Sequence, residues 1–258
     1  MTTSGAQQGY RPGVCLSTSR PATPFVGQII HMTDVAQTAV WDGTSWVGLE
    51  RSRDRNVVIN GAMQVHQRGT STTNITTTGY YTADRFDLPI GNAWGTWTQD
   101  IQADAPTGSG LRKSLRVLCT TAYASPAAAN LFLLRTQLEG QNVQQFAKGT
   151  ASAKSFTLSF WVKSNVTGTF IAELFDNANS RQVSASYSIS SAATWEKKTI
   201  TFPADTTGVF ANDNTAALSL HLWLGAGSNA SSGTLNTAWA TSTTANRAVG
   251  QTNLGSAI

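Results

Sequence analysis

With 258 residues, Lys+Arg 18, Asp+Glu 14 and 12% charged residues, the chain carries about half the roughly 25% charge usual in a soluble globular domain. A net +4 is too thin for a nucleic-acid partner despite the pI of about 9.3. The absence of any run of about 18 apolar residues excludes membrane insertion by a helix.

Residues 1–19 contain Gly and Ser and read as a flexible N-terminal arm, with no positive cluster and apolar core of the kind a secretory signal needs. Arg20-Pro21-Ala22-Thr23-Pro24 then leads into short strands at 28–32, 38–41 and 45–49, and Asp42-Gly43 between the last two is a hairpin signal. A meander of about thirty residues is too small to hold a core alone. The 20–50 unit is therefore expected to attach to another chain or to copies of itself, with Pro24, Phe25, Ile29, Trp41 and Trp46 as contact candidates. Arg51, Arg53 and Arg55 around Asp54 make 51–56 a short basic linker rather than a nucleic-acid stripe.

From residue 57 onward the pattern has period two. Strands are predicted at 56–65, 83–88, 94–101, 115–121 and 130–138, and only 140–147 invites a helical turn. In 155–163, Phe156, Leu158, Phe160 and Val162 share one face. Further strands follow at 169–175, 183–189 and 195–202, and then at 217–224, where Leu218, Leu220, Leu222 and Leu224 oppose Ser219, His221 and Trp223. Many short strands without helix-length runs between them predict an all-β fold: a small N-terminal meander followed by a β-sandwich, a jelly roll, over 57–258.

Two stretches resemble a known family. Ser19-Arg20-Pro21, Pro24 to Ile30, Thr33-Asp34 and Trp41 to Trp46 resemble a hairpin module of tailed-bacteriophage structural proteins. Asn56 to Val65, Gln67 to Ser71 and Gly79 to Phe86 resemble the opening of the jelly-roll domain of phage tail-fibre and virion-appendage proteins, as do Leu138-Glu139-Gly140 and Leu158 to Lys163. The resemblance implies a virion protein made in the host cytoplasm, a homo-oligomer with a trimer favoured, and contacts with other virion proteins. Family members continue with one more strand, whereas this sequence ends Gly255-Ser256-Ala257-Ile258. The closing strand is either absent here or replaced, and an absent one leaves an edge for a neighbouring subunit to cover.

Little in the sequence points to catalysis. His31, His66 and His221 stand apart from acids and from one another, and Cys15 and Cys119 lack companions at ligand spacing, so no metal and no cofactor is implied. Glu173 and Asp176, three apart on a strand, are expected on opposite faces. Arg68 is placed to pair with Asp84 or Asp87, and Asp84-Arg85-Phe86 is expected on a strand. Binding has more support, since indole and phenol rings stack on sugars. Trp94 and Trp97, flanked by glycines, and Tyr80 and Tyr81 in a Thr- and Gly-rich loop are the glycan-binding candidates. The functional expectation is a non-enzymatic tail-fibre or appendage subunit; a capsid decoration protein and a surface-glycan hydrolase are the alternatives.

Overall fold

The computed structural model describes residues 13–49, 56–92, 94–123 and 125–256. The chain divides into two compact units, Met1–Asn56 and Val57–Ile258.

In the smaller unit β1 (Gly13–Cys15), β2 (Ile29–Met32), β3 (Gln37–Trp41) and β4 (Trp46–Gly48) form one sheet in that order, with β1 parallel to β2 and the other pairs antiparallel. The Asp42-Gly43 turn joins β3 to β4. The Asp42 carboxylate accepts the backbone N–H groups of Ser45 and Thr44, both at 2.7 Å, and these bonds hold its pKa below the ordinary value. The arm read as flexible to residue 19 is structured from Gly13: β1 pairs along β2, and Ser17 donates its backbone N–H to Asp34 at 2.8 Å. Residues 1–12 and 51–55, the latter most of the basic linker, lie outside the described residues.

One face of this sheet buries Ile30, Met32 and Ala39 against Cys15 and Trp46, whose ring lies 5.6 Å from that of Trp41. Register puts Val14, Ile29, His31, Val40 and Val47 on the other face, where Val14 is 70% exposed. Phe25 and Val26 are exposed nearby in sequence, in the loop that leads into β2.

The larger unit contains β5 (Ser71–Ile75), β6 (Phe86–Asp87), β7 (Ile90–Gly91), β8 (Thr96–Gln102), β9 (Ser114–Thr121) and β10 (Leu131–Glu139). After α1 (Gly140–Val143) come β11 (Phe156–Val162), β12 (Gly168–Asp176), β13 (Arg181–Ile189), β14 (Glu196–Phe202) and β15 (Ala216–Ala226), then α2 (Ser228–Ser231) and β16 (Ala240–Thr241). The main sheet runs β16-β13-β12-β15-β10-β6, with β7 also paired to β10. Facing it are the β11–β14 pair and the β5–β8–β9 sheet, which together make the second layer of an all-β sandwich.

The alternating leucines of β15 explain the layering. Leu218, Leu220 and Leu222 join Phe156, Ile200 and Phe202 in one core, while Leu224 joins Trp94, Trp97 and Phe132 in the adjoining one. The opposite face of β15 carries Trp223, which packs with Leu133, Ile171, Ala230 and Ala248 beneath the C-terminal segment.

One predicted strand is absent and another is cut short. Residues 56–65 form turns: Asn60 and Met63 have φ of 59° and 55°, and the Asn60 amide donates to Val65 O at 2.7 Å and Asp84 O at 2.9 Å. The 83–88 strand is reduced to Phe86–Asp87, because Arg85 at φ 73° interrupts extended backbone, so Asp84 and Arg85 lie in a turn. The helical turn is α1 followed by a 3₁₀ turn over Gln144–Phe146, ended by Ala147 at φ 48°.

Candidate functional site

Trp94 and Trp97 are core residues, a correction to the sequence reading. Their exposures are 0% and 1%, so neither ring has a face to offer a sugar. Trp97 packs tilted against Phe132 with ring centres 4.2 Å apart and donates its indole N–H to Trp94 O, while Trp94 donates to Tyr123 O. The flanking glycines admit the protein's own neighbours, since a Cβ at Gly95 would stand 2.5 Å from Thr121 O and one at Gly91 2.7 Å from Leu131 Cγ. Two other glycines make room for the indole: a Cβ at Gly225 would stand 2.3 Å from the Trp94 ring, and one at Gly255 2.8 Å from its Nε1. Tyr81 is half-buried against the same core, with its hydroxyl donating to Thr77 O.

Tyr80 is different. It is 43% exposed and lines a cleft of about 460 Å³ with Gln67, Arg68, Asp84, Arg85, Gln137, Glu139, Asn214 and Ala216. Four stretches of chain build it. Asn60 and Val65 fasten the Asp84 backbone, since Asp84 N–H donates to Val65 O at 3.0 Å, and this fixes the Asp84-Arg85 turn beside the loop that carries Gln67 and Arg68. Gln137 and Glu139 come from the end of β10, where the register shifts between Leu138 and Glu139 opposite the start of β15. Such an irregularity re-aims the side chain that follows it.

Within the cleft Arg68 donates from Nη1 to Asp84 Oδ1 at 2.8 Å, and its guanidinium lies 5.5 Å from the Tyr80 ring centre. Of the two acids considered for Arg68, Asp84 is the partner, while Asp87 takes a two-point contact from Arg135. Arg85 donates to Glu139 Oε1 at 3.3 Å, and Gln141 donates to Glu139 Oε2 at 2.9 Å. The Gln141 hydrogen bond, then that from Arg85, lowers the Glu139 carboxyl from its ordinary value. An aromatic face beside amides, guanidiniums and carboxylates can stack on a ring and exchange hydrogen bonds with its substituents.

Two other charged clusters are saturated by the protein. Glu173, fully buried on β12, accepts from His221 at 2.8 Å, Trp223 at 3.0 Å, and Arg247 at 2.8 and 2.9 Å. Burial works to raise this carboxyl, but the His221 hydrogen bond and the Arg247 guanidinium outweigh it and hold the pKa down to about 2. Burial pushes His221 down, against the pull of Glu173. On the opposite face of the strand, as expected, Asp176 meets the buried ammonium of Lys148 at 2.5 Å. Lys148 also reaches Asp205 at 3.1 Å and the carbonyls of Thr207 and Gly208 at 2.8 and 3.0 Å.

The contact candidates of the smaller unit divide similarly. Phe25 is exposed, Pro24 and Ile29 are half-buried, and Trp41 with Trp46 forms the internal ring pair. Gln137 and Asn214 were not legible as site residues, since they join the cleft only through the pairing of β10 with β15.

No family model matches the sequence, and no curated protein matches it. Among solved structures the chain is similar to the enzymatically active domain of tailspike protein 4 of bacteriophage CBA120, with a TM-score of 0.37 and 16% identity. The match covers 68% of this chain and 20% of that one.

Proposed function

We propose that the chain is a non-enzymatic structural subunit of a tailed-phage virion, a tail-fibre or tail-appendage protein that attaches through its N-terminal unit and touches host surface glycan through the Tyr80 cleft. The observation that carries the glycan contact is the exposed Tyr80 ring at a cleft lined by Gln67, Gln137 and Asn214. The phage assignment rests on the sequence resemblance of the 19–46 and 56–86 stretches. A binding role is favoured over hydrolysis because both cleft carboxylates are ion-paired and Glu139 is held low, whereas a glycosidase keeps one carboxylic acid protonated near neutral pH.

The open apolar face at Val14, Ile29, Val40 and Val47 suits packing against sister chains, and we assign it to homo-oligomer contact, with a trimer favoured. Labelled antibody on intact particles tests the placement: signal confined to the tail is expected, and signal over the whole shell sinks it in favour of capsid decoration. Purified chain is expected to compete with phage for adsorption, and Tyr80→Ala to lose that competition. Release of reducing ends from host glycan would overturn the non-enzymatic reading.

A further inference from the structure

We infer that the ligand of the Tyr80 cleft is an anionic saccharide, a sugar whose carboxylate or phosphate oxygens are met by Arg68 and Arg85. This rests on the glycan reading above and adds the class of sugar.

The inference comes from how the arginines are used. Four Arg–carboxylate pairs of the larger unit are two-point clamps in which Nε and Nη2 each hold one oxygen. They are Arg116 on Asp100 (3.0 and 2.5 Å), Arg135 on Asp87 (3.1 and 2.5 Å), Arg181 on Asp205 (2.8 and 3.0 Å) and Arg247 on Glu173 (2.8 and 2.9 Å). The two cleft arginines depart from this pattern. Arg68 touches Asp84 through Nη1 alone and Arg85 touches Glu139 through Nη2 alone. A guanidinium has five N–H donors, so most of the donors on each have no partner among the described residues.

The carboxylates are not short of donors in the same way. Asp84 Oδ2 takes the backbone N–H of Gln67 at 3.4 Å and Glu139 Oε2 takes Gln141, so each oxygen already has a donor. What the cleft has in surplus is N–H, and a ligand rich in acceptors matches it. Side-chain exposure agrees: 50% for Arg68 against 16% for Asp84, and 38% for Arg85 against 29% for Glu139, so the cations stand outermost.

Two further features fit. Arg85 has φ 73°, a conformation disfavoured for a long side chain, and the fold keeps it at the cleft. Arg68 lies over the Tyr80 ring, 5.5 Å from its centre, and spends only Nη1 on Asp84. The amides of Gln67, Gln137 and Asn214 make no side-chain hydrogen bond to the described residues, and they provide for the hydroxyls of a ring where a bare anion has no use for them.

Calorimetric titration of the full chain tests this with four sets of probes: oligosaccharides bearing glucuronate, galacturonate or sialate; neutral glucose oligosaccharides of the same length; glucose 6-phosphate; and inorganic phosphate. An acidic saccharide is expected to bind at least about tenfold more tightly than the neutral one, and Arg68→Gln and Arg85→Gln each to weaken it about tenfold or more, the scale of one charge-assisted hydrogen bond. Arg85→Gly is expected to lose the same affinity without a fall in thermal midpoint, which a purely structural role for this side chain would not give. The glucose 6-phosphate arm separates phosphate from carboxylate as the preferred oxyanion. Neutral saccharides binding equally well, dependent on Tyr80 and indifferent to both arginines, would overturn this inference and leave the glycan reading standing. Phosphate binding as tightly as any saccharide with no effect of Tyr80→Ala, or no binding by any probe, would overturn both.

Discussion

Lys148→Met is the most searching single test of how the larger unit is held together. The ammonium is buried among Asp176, Asp205 and the carbonyls of Thr207 and Gly208, with the rings of Phe210 and Trp239 each 5.0 Å away. Met fills nearly the same volume, so the change removes charge rather than packing. Asp205 keeps its two-point contact with Arg181, whereas Asp176 keeps only the N–H donors of Asn179 and becomes a buried anion with no cation. Breaking one side of a buried pair costs about 3–5 kcal/mol. For a unit of about 200 residues this lowers the thermal midpoint by roughly 6–20 °C. Differential scanning calorimetry of the main transition reads it directly. Adding Asp176→Asn removes the orphaned charge, so the double variant is expected to be more stable than Lys148→Met alone. A loss below about 1 kcal/mol, or a double variant as destabilised as the sum of the two singles, refutes the claim that charge pairing dominates here.

Acidification is expected to weaken the fold in two stages. His221 is held below its ordinary pKa of 6.5, so its contribution is complete above that value and declines as pH falls, because the unfolded chain takes up the proton first. Glu173, ordinarily 4.5 and here about 2, adds on the order of 3 kcal/mol that is complete above pH 4.5 and lost as pH falls toward 2. Urea midpoints measured from pH 8 to 3 would show this, and a flat profile between pH 7 and 5 would contradict the first stage. Gly225→Ala is expected to destabilise by about 1–3 kcal/mol through collision with the Trp94 ring, with no change at the Tyr80 cleft; an unchanged urea midpoint would refute the packing. Val14→Asp with Val47→Asp is expected to lower the mass seen in sedimentation, and wild-type chain that is monomeric at micromolar concentration removes the assigned interface.

Alternation was enough to read the sandwich strands. The β15 leucines announce a two-sided strand, and the Asp42-Gly43 turn announces a hairpin, because both depend on neighbours in sequence. The role of Asn60, an amide that fastens the Asp84 backbone 24 residues away, was not legible. The site was legible in part. Tyr80, Arg68 and Asp84 could be named from local motifs, whereas Gln137 and Asn214 reach the cleft through pairings distant in sequence. Trp94 and Trp97 misled for a physical reason: the glycines beside them do mark close approaches, but the neighbours are the protein's own, the Thr121 carbonyl at Gly95 and the Leu131 side chain at Gly91.

The pairing of charge also bears on how the protein meets anything in solution. In the larger unit every Asp and Glu except Asp213 sits in an ion pair. Opposite charges a few ångströms apart cancel at distance, and salt screens the remainder beyond about 8–10 Å. With 13 Lys and Arg against 10 Asp and Glu the unit keeps an excess of +3, so an anionic partner is expected to be drawn in only weakly, with an association rate that falls modestly as ionic strength rises. Selection of what stays then falls to the contacts made at Arg68 and Arg85, and so to the dissociation rate.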